Sequence, residues 1–205
     1  TFQRSEIARL LQERGQVAWA QEWVDLTRIS AALQRAVIAS EDAAFVDHRG
    51  IDWEAVESAW GRNQRAQARA ERQSRRSQRP ANARLVGGST ITQQLAKNLL
   101  LSGERTALRK AQEAVLTLML ETLLDKRRIL EVYLNNVEWG EGLFGAQAAA
   151  RHYFRVDAAR LGAESAARLA VMLPAPKRFE KQPASAYVVG RAAVIVTRMG
   201  AVELP

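Results

Sequence analysis

A chain of 205 residues, 47% hydrophobic and 25% charged, is long enough for one well-packed domain and has the make-up of a soluble globular protein. It has no cysteine, which excludes disulfides and thiolate metal sites, no apolar run near the ~18 residues of a membrane-spanning helix, and no visible signal peptide. The formal charge of +8 is concentrated, because eight arginines against Glu71 give +7 between positions 61 and 85 and leave +1 elsewhere; the pI of about 10.5 therefore describes one segment and not a protein-wide affinity for nucleic acid.

Residues 2–20 carry Ile7, Leu10, Leu11, Val17 and Trp19 and read as a helix broken at Gly15, then a connection; Trp19 and Trp23 read as core rather than membrane-interface aromatics. Ser30 caps an apolar helix over 31–39, with Leu33, Ala36 and Val37 inward, that ends at the acidic pair Glu41 and Asp42. A carboxylate closing a buried helix is partly desolvated, which raises its pKa and suits Glu41 to general-base work. Taken singly, Glu41 is more simply a solvated helix end and His48 a structural hydrogen-bonder. Gly50 permits a turn, and Asp52 caps a helix running from Trp53 through Val56 and Trp60. Beyond it the Arg/Gln/Ala-rich tract 62–84, interrupted by Pro80, reads as a solvated helix or a mobile arm. Its arginines suit acidic lipid headgroups, whereas no aromatic interleaves them to stack on bases.

The stretch GGSTITQQLAKN, 87–98, is a turn feeding a helix, with Ser89 or Thr90 as cap and amides at the helix start that attract anions. Helical spacing puts Thr90, Gln94 and Lys97 on a polar front and Ile91, Leu95 and Leu99 on a buried back. A second helix over 106–124 places Arg109 and Glu113 four apart, in line with Arg105 and beside Lys110. Cations gathered around one carboxylate suit a diphosphate, with the carboxylate holding a metal or a proton; the plainer alternative is a salt-bridged surface helix. Next, Ile129, Leu130, Tyr133 and Leu134 repeat at helical spacing, Glu131 and Asn135 hold the Gly140, Gly142 and Gly145 loop, and a small-residue helix covers 146–153. Helices over 165–172 and 184–199 flank a proline-stiffened connector, and no strand pattern of useful length occurs. The fold class is mainly α.

In order along the chain, EDAAFVDHRG, GGSTITQQLAKN, RKAQE, KRRILEVYLN and MLPAPKRF resemble the motifs of the family 51 glycosyltransferases, which polymerise the peptidoglycan precursor lipid II. The resemblance spans roughly 30–200, and GERTALRKAQEAV and VEWGEGLFGAQAAARHYF are most similar to the monofunctional proteobacterial members. No Ser-x-x-Lys is present for a penicillin-binding transpeptidase nucleophile. The resemblance implies a single lysozyme-like, two-lobed helical domain over 1–205, with a small mobile jaw lobe at about 52–86 facing the membrane. It makes Glu41 the general base and Glu113 the second catalytic carboxylate, with Mg²⁺ or another divalent cation expected near Glu113 and no organic cofactor. Lys97, Arg105, Arg109 and Lys110 match the residues that hold the donor's diphosphate; Ser89, Thr90, Gln93 and Gln94 fall on the cleft motif, and Asp42, Phe45 and His48 complete the substrate-binding set. The implied partners are lipid II, the lipid-linked glycan chain, the membrane surface and a moenomycin-type inhibitor, and no nucleic acid. The implied place is the periplasmic face of a bacterial inner membrane, with an anchor expected upstream of Thr1. The long, basic tract 62–84 departs from the family pattern and bears on the jaw, not on the chemistry. The alternatives to a polymerase are a lysozyme-like glycan-cleaving enzyme and a non-catalytic binder of anionic surfaces.

Overall fold

The computed structural model describes residues 2–15, 18–77, 88–101 and 106–205. Gly87, Arg105 and the end of the basic tract from 78, with Arg79, Pro80 and Arg84, lie outside the described residues.

The core is built on α2 (Ala31–Glu41), whose Ser30 cap accepts from the Leu33 amide and whose Leu33, Ala36, Val37 and Ile38 are at most 1% exposed. It packs against α8 (Ala163–Met172) and α10 (Ala186–Met199), where a run of buried alanines lets the backbones approach closely. On the other side α4 (Ile91–Leu100) packs against α5 (Ala107–Leu123) and α6 (Lys126–Asn136), and the two groups share one continuous apolar cluster. Glu41 ends α2 where α4 begins.

The mainly helical expectation holds, and the helix bounds fall within a few residues of the periodicity. A small sheet was not expected. Its strands are β1 (Ala20–Gln21), β2 (Glu138–Gly140) and β3 (Leu143–Phe144), in the order β1-β3-β2, parallel between β1 and β3 and antiparallel between β3 and β2. Pieces of two or three residues are too short to show alternation. Gly142 makes this sheet possible: it sits at φ +71° and a Cβ would lie 1.9 Å from the Ala18 carbonyl oxygen.

Two other expectations need correcting. Trp19 stacks on Phe144, but Trp23 is 46% exposed under the Arg128 guanidinium rather than in the core. Glu131 and Asn135 do not hold the glycine loop with their side chains; they receive the Leu26 and Val24 amides and fix the chain leading into α2. Of the two readings of the basic tract, the solvated helix holds as far as residue 77: α3 (Trp53–Ser77) runs unbroken for 25 residues, because Ala, Arg, Gln and Glu are all good helix formers.

Two faces stay apolar in water. On α3, Trp53 and Trp60 are 72% and 68% exposed with Val56 between them. On α5, Leu108, Val115, Leu118, Met119 and Leu123 form an outer stripe that continues into a groove with Leu100 and Leu101. No helix of the described residues is long and apolar enough to cross a membrane.

Candidate active site

The loop after α2 is laced to the start of α4. One Asp42 carboxylate oxygen accepts the Ile91 amide at 2.9 Å, and the other accepts from His48 Nε2 at 2.8 Å. His48 Nδ1 accepts the Gly50 amide, and the Thr90 hydroxyl donates to the Gly50 carbonyl at 2.6 Å. Thr90 and Gln93 close a reciprocal capping box, each side chain bonding the other's backbone amide, an arrangement worth about 1 kcal/mol. The expected anion site at this helix start is thus filled from within, since Asp42 and Thr90 take its amides. Gly50 is required twice over, by φ +84° and by α5, where a Cβ would meet Thr117 Cγ2 at 2.6 Å.

This scaffold aims Glu41. Gln94, one turn into α4, donates from Nε2 to Glu41 Oε2 at 2.9 Å, and its own carbonyl accepts from the Tyr133 hydroxyl at 2.9 Å. Tyr133 is 1% exposed, so the relay Tyr133–Gln94–Glu41 starts in the core and ends at the cleft. Burial raises the Glu41 pKa above the usual carboxylate range, with the Asp42 charge adding to it and the Gln94 and Ser40 hydrogen bonds and Lys97 opposing. A cavity of about 320 Å³ opens beside it, lined by Ser40, Glu41, Ala55, Arg62 and Ser89 among others.

The cations form the neighbouring wall. Lys97 lies three residues beyond Gln94; burial lowers its ammonium pKa, opposed by the fields of Glu113 and Glu41. On α5, capped by Thr106, Arg109 donates to one Glu113 oxygen at 2.7 Å and Lys110 to the other. Glu113 is 2% exposed; burial pushes its pKa up, but the bonds and charges of Lys110 and Arg109 outweigh this and hold it below the ordinary value. Arg109 Nε is buried and has no hydrogen-bond partner among the described residues.

Of the sequence-predicted residues, Glu41, Gln94, Lys97, Arg109, Lys110 and Glu113 come together, and Ser89 lines the cavity. Arg105 lies outside the described residues. Thr90, Gln93, Asp42 and His48 make the framework bonds above, Asp42 and Thr90 also line the cavity beside Glu41, and Phe45 is 0% exposed beneath the Lys126 ammonium. Asp42, His48 and Asp52 place one ligand atom each within 4.8 Å, yet Asp42 and His48 bond each other and Asp52 caps α3 through the Ala55 amide. Tyr133 was read only as an apolar repeat member. A tyrosine on the buried face of a helix, needing a partner for its hydroxyl, was the available signal.

A half-buried glutamate of raised pKa beside a group of cations, on a helical frame, is an arrangement suited to a glycosyl-transferring enzyme. The family described as Transglycosylase matches residues 7–200, and the chain belongs to it. Relatives include the biosynthetic peptidoglycan transglycosylases of Bordetella pertussis (50% identical over 202 residues, 98% of this chain and 79% of the relative) and Paraburkholderia phytofirmans (49% over 206 residues, 100% and 79%). That of Burkholderia multivorans is 54% identical over 185 residues, 90% of this chain and 69% of its own length.

Proposed function

We propose that this glycosyltransferase polymerises lipid II into β-1,4-linked glycan strands and releases the lipid diphosphate. Glu41 takes the proton from the acceptor's 4-hydroxyl as that oxygen attacks the donor's anomeric carbon, and the carbon–oxygen bond to the diphosphate breaks. Lys97, Arg109 and Lys110, with Arg105 expected to join them, take up the charge that develops on the departing diphosphate. Glu113 acts by positioning: it holds Arg109 and Lys110 side by side, which would otherwise repel. Both of its oxygens are already taken by cations, so it does not suit a divalent metal ion, and no step passes through one. The observation that carries the reading is Lys97 within electrostatic reach both of Glu41, whose pKa is raised, and of the Arg109, Lys110 and Glu113 cluster. A lysozyme-like hydrolase needs an acid for its leaving group and has no use for this wall.

The substrates are lipid-linked, and the protein offers a surface for them. The outer face of α5 is apolar directly behind Arg109 and Glu113, and the arginines of α3 add roughly 1 kcal/mol each near an anionic bilayer. This supports work at a membrane surface, outside the cytoplasm where peptidoglycan is built, and competition by a moenomycin-type phosphoglycolipid for the cationic wall. The test is lipid II turnover with product length read on a gel. The parent should yield long strands, and Glu41→Gln should fold normally and lose at least ~10²-fold in rate. Parent-like rates in that variant would remove Glu41 from the chemistry.

A further inference from the structure

Glu41 lies within the field of Lys97, which neighbours Arg109 and Lys110, and the cavity that Glu41 also lines is bounded by none of these cations. That cavity nevertheless has a cation of its own. Arg62 lies seven residues after Ala55, two helical turns along the same face of α3, and both line it. The guanidinium donates to Ser58 Oγ at 2.9 Å and has no carboxylate partner among the described residues. Four of its five donors have no partner among the described residues.

We infer that Arg62 is a substrate-positioning residue that binds an oxyanion of the acceptor. The inference rests on the polymerase reading given above. A displacement at the anomeric carbon requires the attacking oxygen to enter from the side opposite the leaving group. If the diphosphate departs toward Lys97 and Arg109, the acceptor occupies the Arg62 side of Glu41. The acceptor keeps its own phosphates, and its peptide carries carboxylates, so one guanidinium lining the same cavity as Glu41 can hold it by a charge-assisted, two-pronged contact. Arg65, Arg69, Arg72 and Arg76 continue from Arg62 along the same side of α3. Those four line no part of the cavity, which sets Arg62 apart.

The experiment is single-addition kinetics in neutral detergent, with a preformed lipid-linked oligosaccharide saturating as donor and lipid II varied as acceptor. Arg62→Gln should raise the acceptor KM about tenfold with kcat within about twofold, and Arg62→Lys should recover part of the loss. Moenomycin affinity should stay at the parent value in Arg62→Gln and fall in Lys97→Ala. A joint Arg69→Gln, Arg72→Gln and Arg76→Gln variant should keep the parent acceptor KM. Acceptors with amidated carboxylates, or with one phosphate in place of two, identify the oxyanion as the one whose removal abolishes the difference between Arg62→Gln and parent. An unchanged acceptor KM in Arg62→Gln, beside an active parent, overturns the assignment of Arg62 and leaves the polymerase reading standing. A parent that extends no donor overturns both.

Discussion

The Gln94 bridge to Glu41 can be tested for what it contributes to the base. Gln94→Met keeps the length of the side chain and removes both of its hydrogen bonds, the 2.9 Å donation to Glu41 and the 2.9 Å acceptance from Tyr133. The bond to Glu41 favours the ionised carboxylate, so its loss raises a pKa that burial has already raised. A hydrogen bond to a charged group is worth about 1.5–3 kcal/mol, and about 1.4 kcal/mol corresponds to one pKa unit. The acid limb of the kcat/KM profile should therefore move up by roughly one to two units. Below both limbs the variant should be about 10–100-fold slower, and well above them the gap should narrow to what misorientation costs. Tyr133→Phe removes only a neutral bond to Gln94, worth about 0.5–1.5 kcal/mol, and should move the limb in the same direction by less than about one unit. The measurement is polymerisation rate across pH at fixed ionic strength, with circular dichroism confirming the fold at each point. A limb that stays in place while the rate falls equally at every pH would show that Gln94 positions substrate and leaves the proton affinity of Glu41 alone.

Glu138 is 7% exposed, one of its oxygens lacks a hydrogen-bond partner, and burial pushes its pKa up to about 7 against the pull of Lys177. The folded protein then holds a proton that the unfolded chain releases near 4.5, so stability falls as pH rises from about 4.5 to 7 and levels off above; the penalty is at most about 3 kcal/mol. Glu138→Gln should flatten this dependence and raise Tm at pH 8, as read by thermal melts across the window. Gly50→Ala should lose about 2–3 kcal/mol and lower Tm by roughly 5–10 °C, because its Cβ overlaps Thr117 and its φ is strained; a melt matching the parent would contradict the packing on α5. Placing charges on the outer face of α5, Val115→Glu with Met119→Glu, should leave soluble stability nearly unchanged and reduce binding to anionic vesicles in a flotation assay. Equal flotation would mean that this face does not meet lipid.

The helices were legible in the chain because each announces itself within a few residues. Ser30, Asp52 and Thr90 cap where the sequence offers them, and the apolar spacing of α2 and α4 marks the faces they bury. The chemistry was legible in part for the same local reason: Arg109, Lys110 and Glu113 meet across one turn of one helix, so their pairing follows from spacing alone. What spacing cannot reach is contact between distant segments. That Asp42 is committed to α4, that Tyr133 in α6 steers Glu41 through Gln94, and that Arg62 lines the cavity with Ser89 are pairings over tens of residues. A Thr that caps and a Thr that binds substrate are the same letter, as are a framework aspartate and a catalytic one. Only packing decides which hydrogen-bonding capacity is spent inside the protein and which is left facing the cleft, because a buried polar group takes whatever partner the fold brings to it.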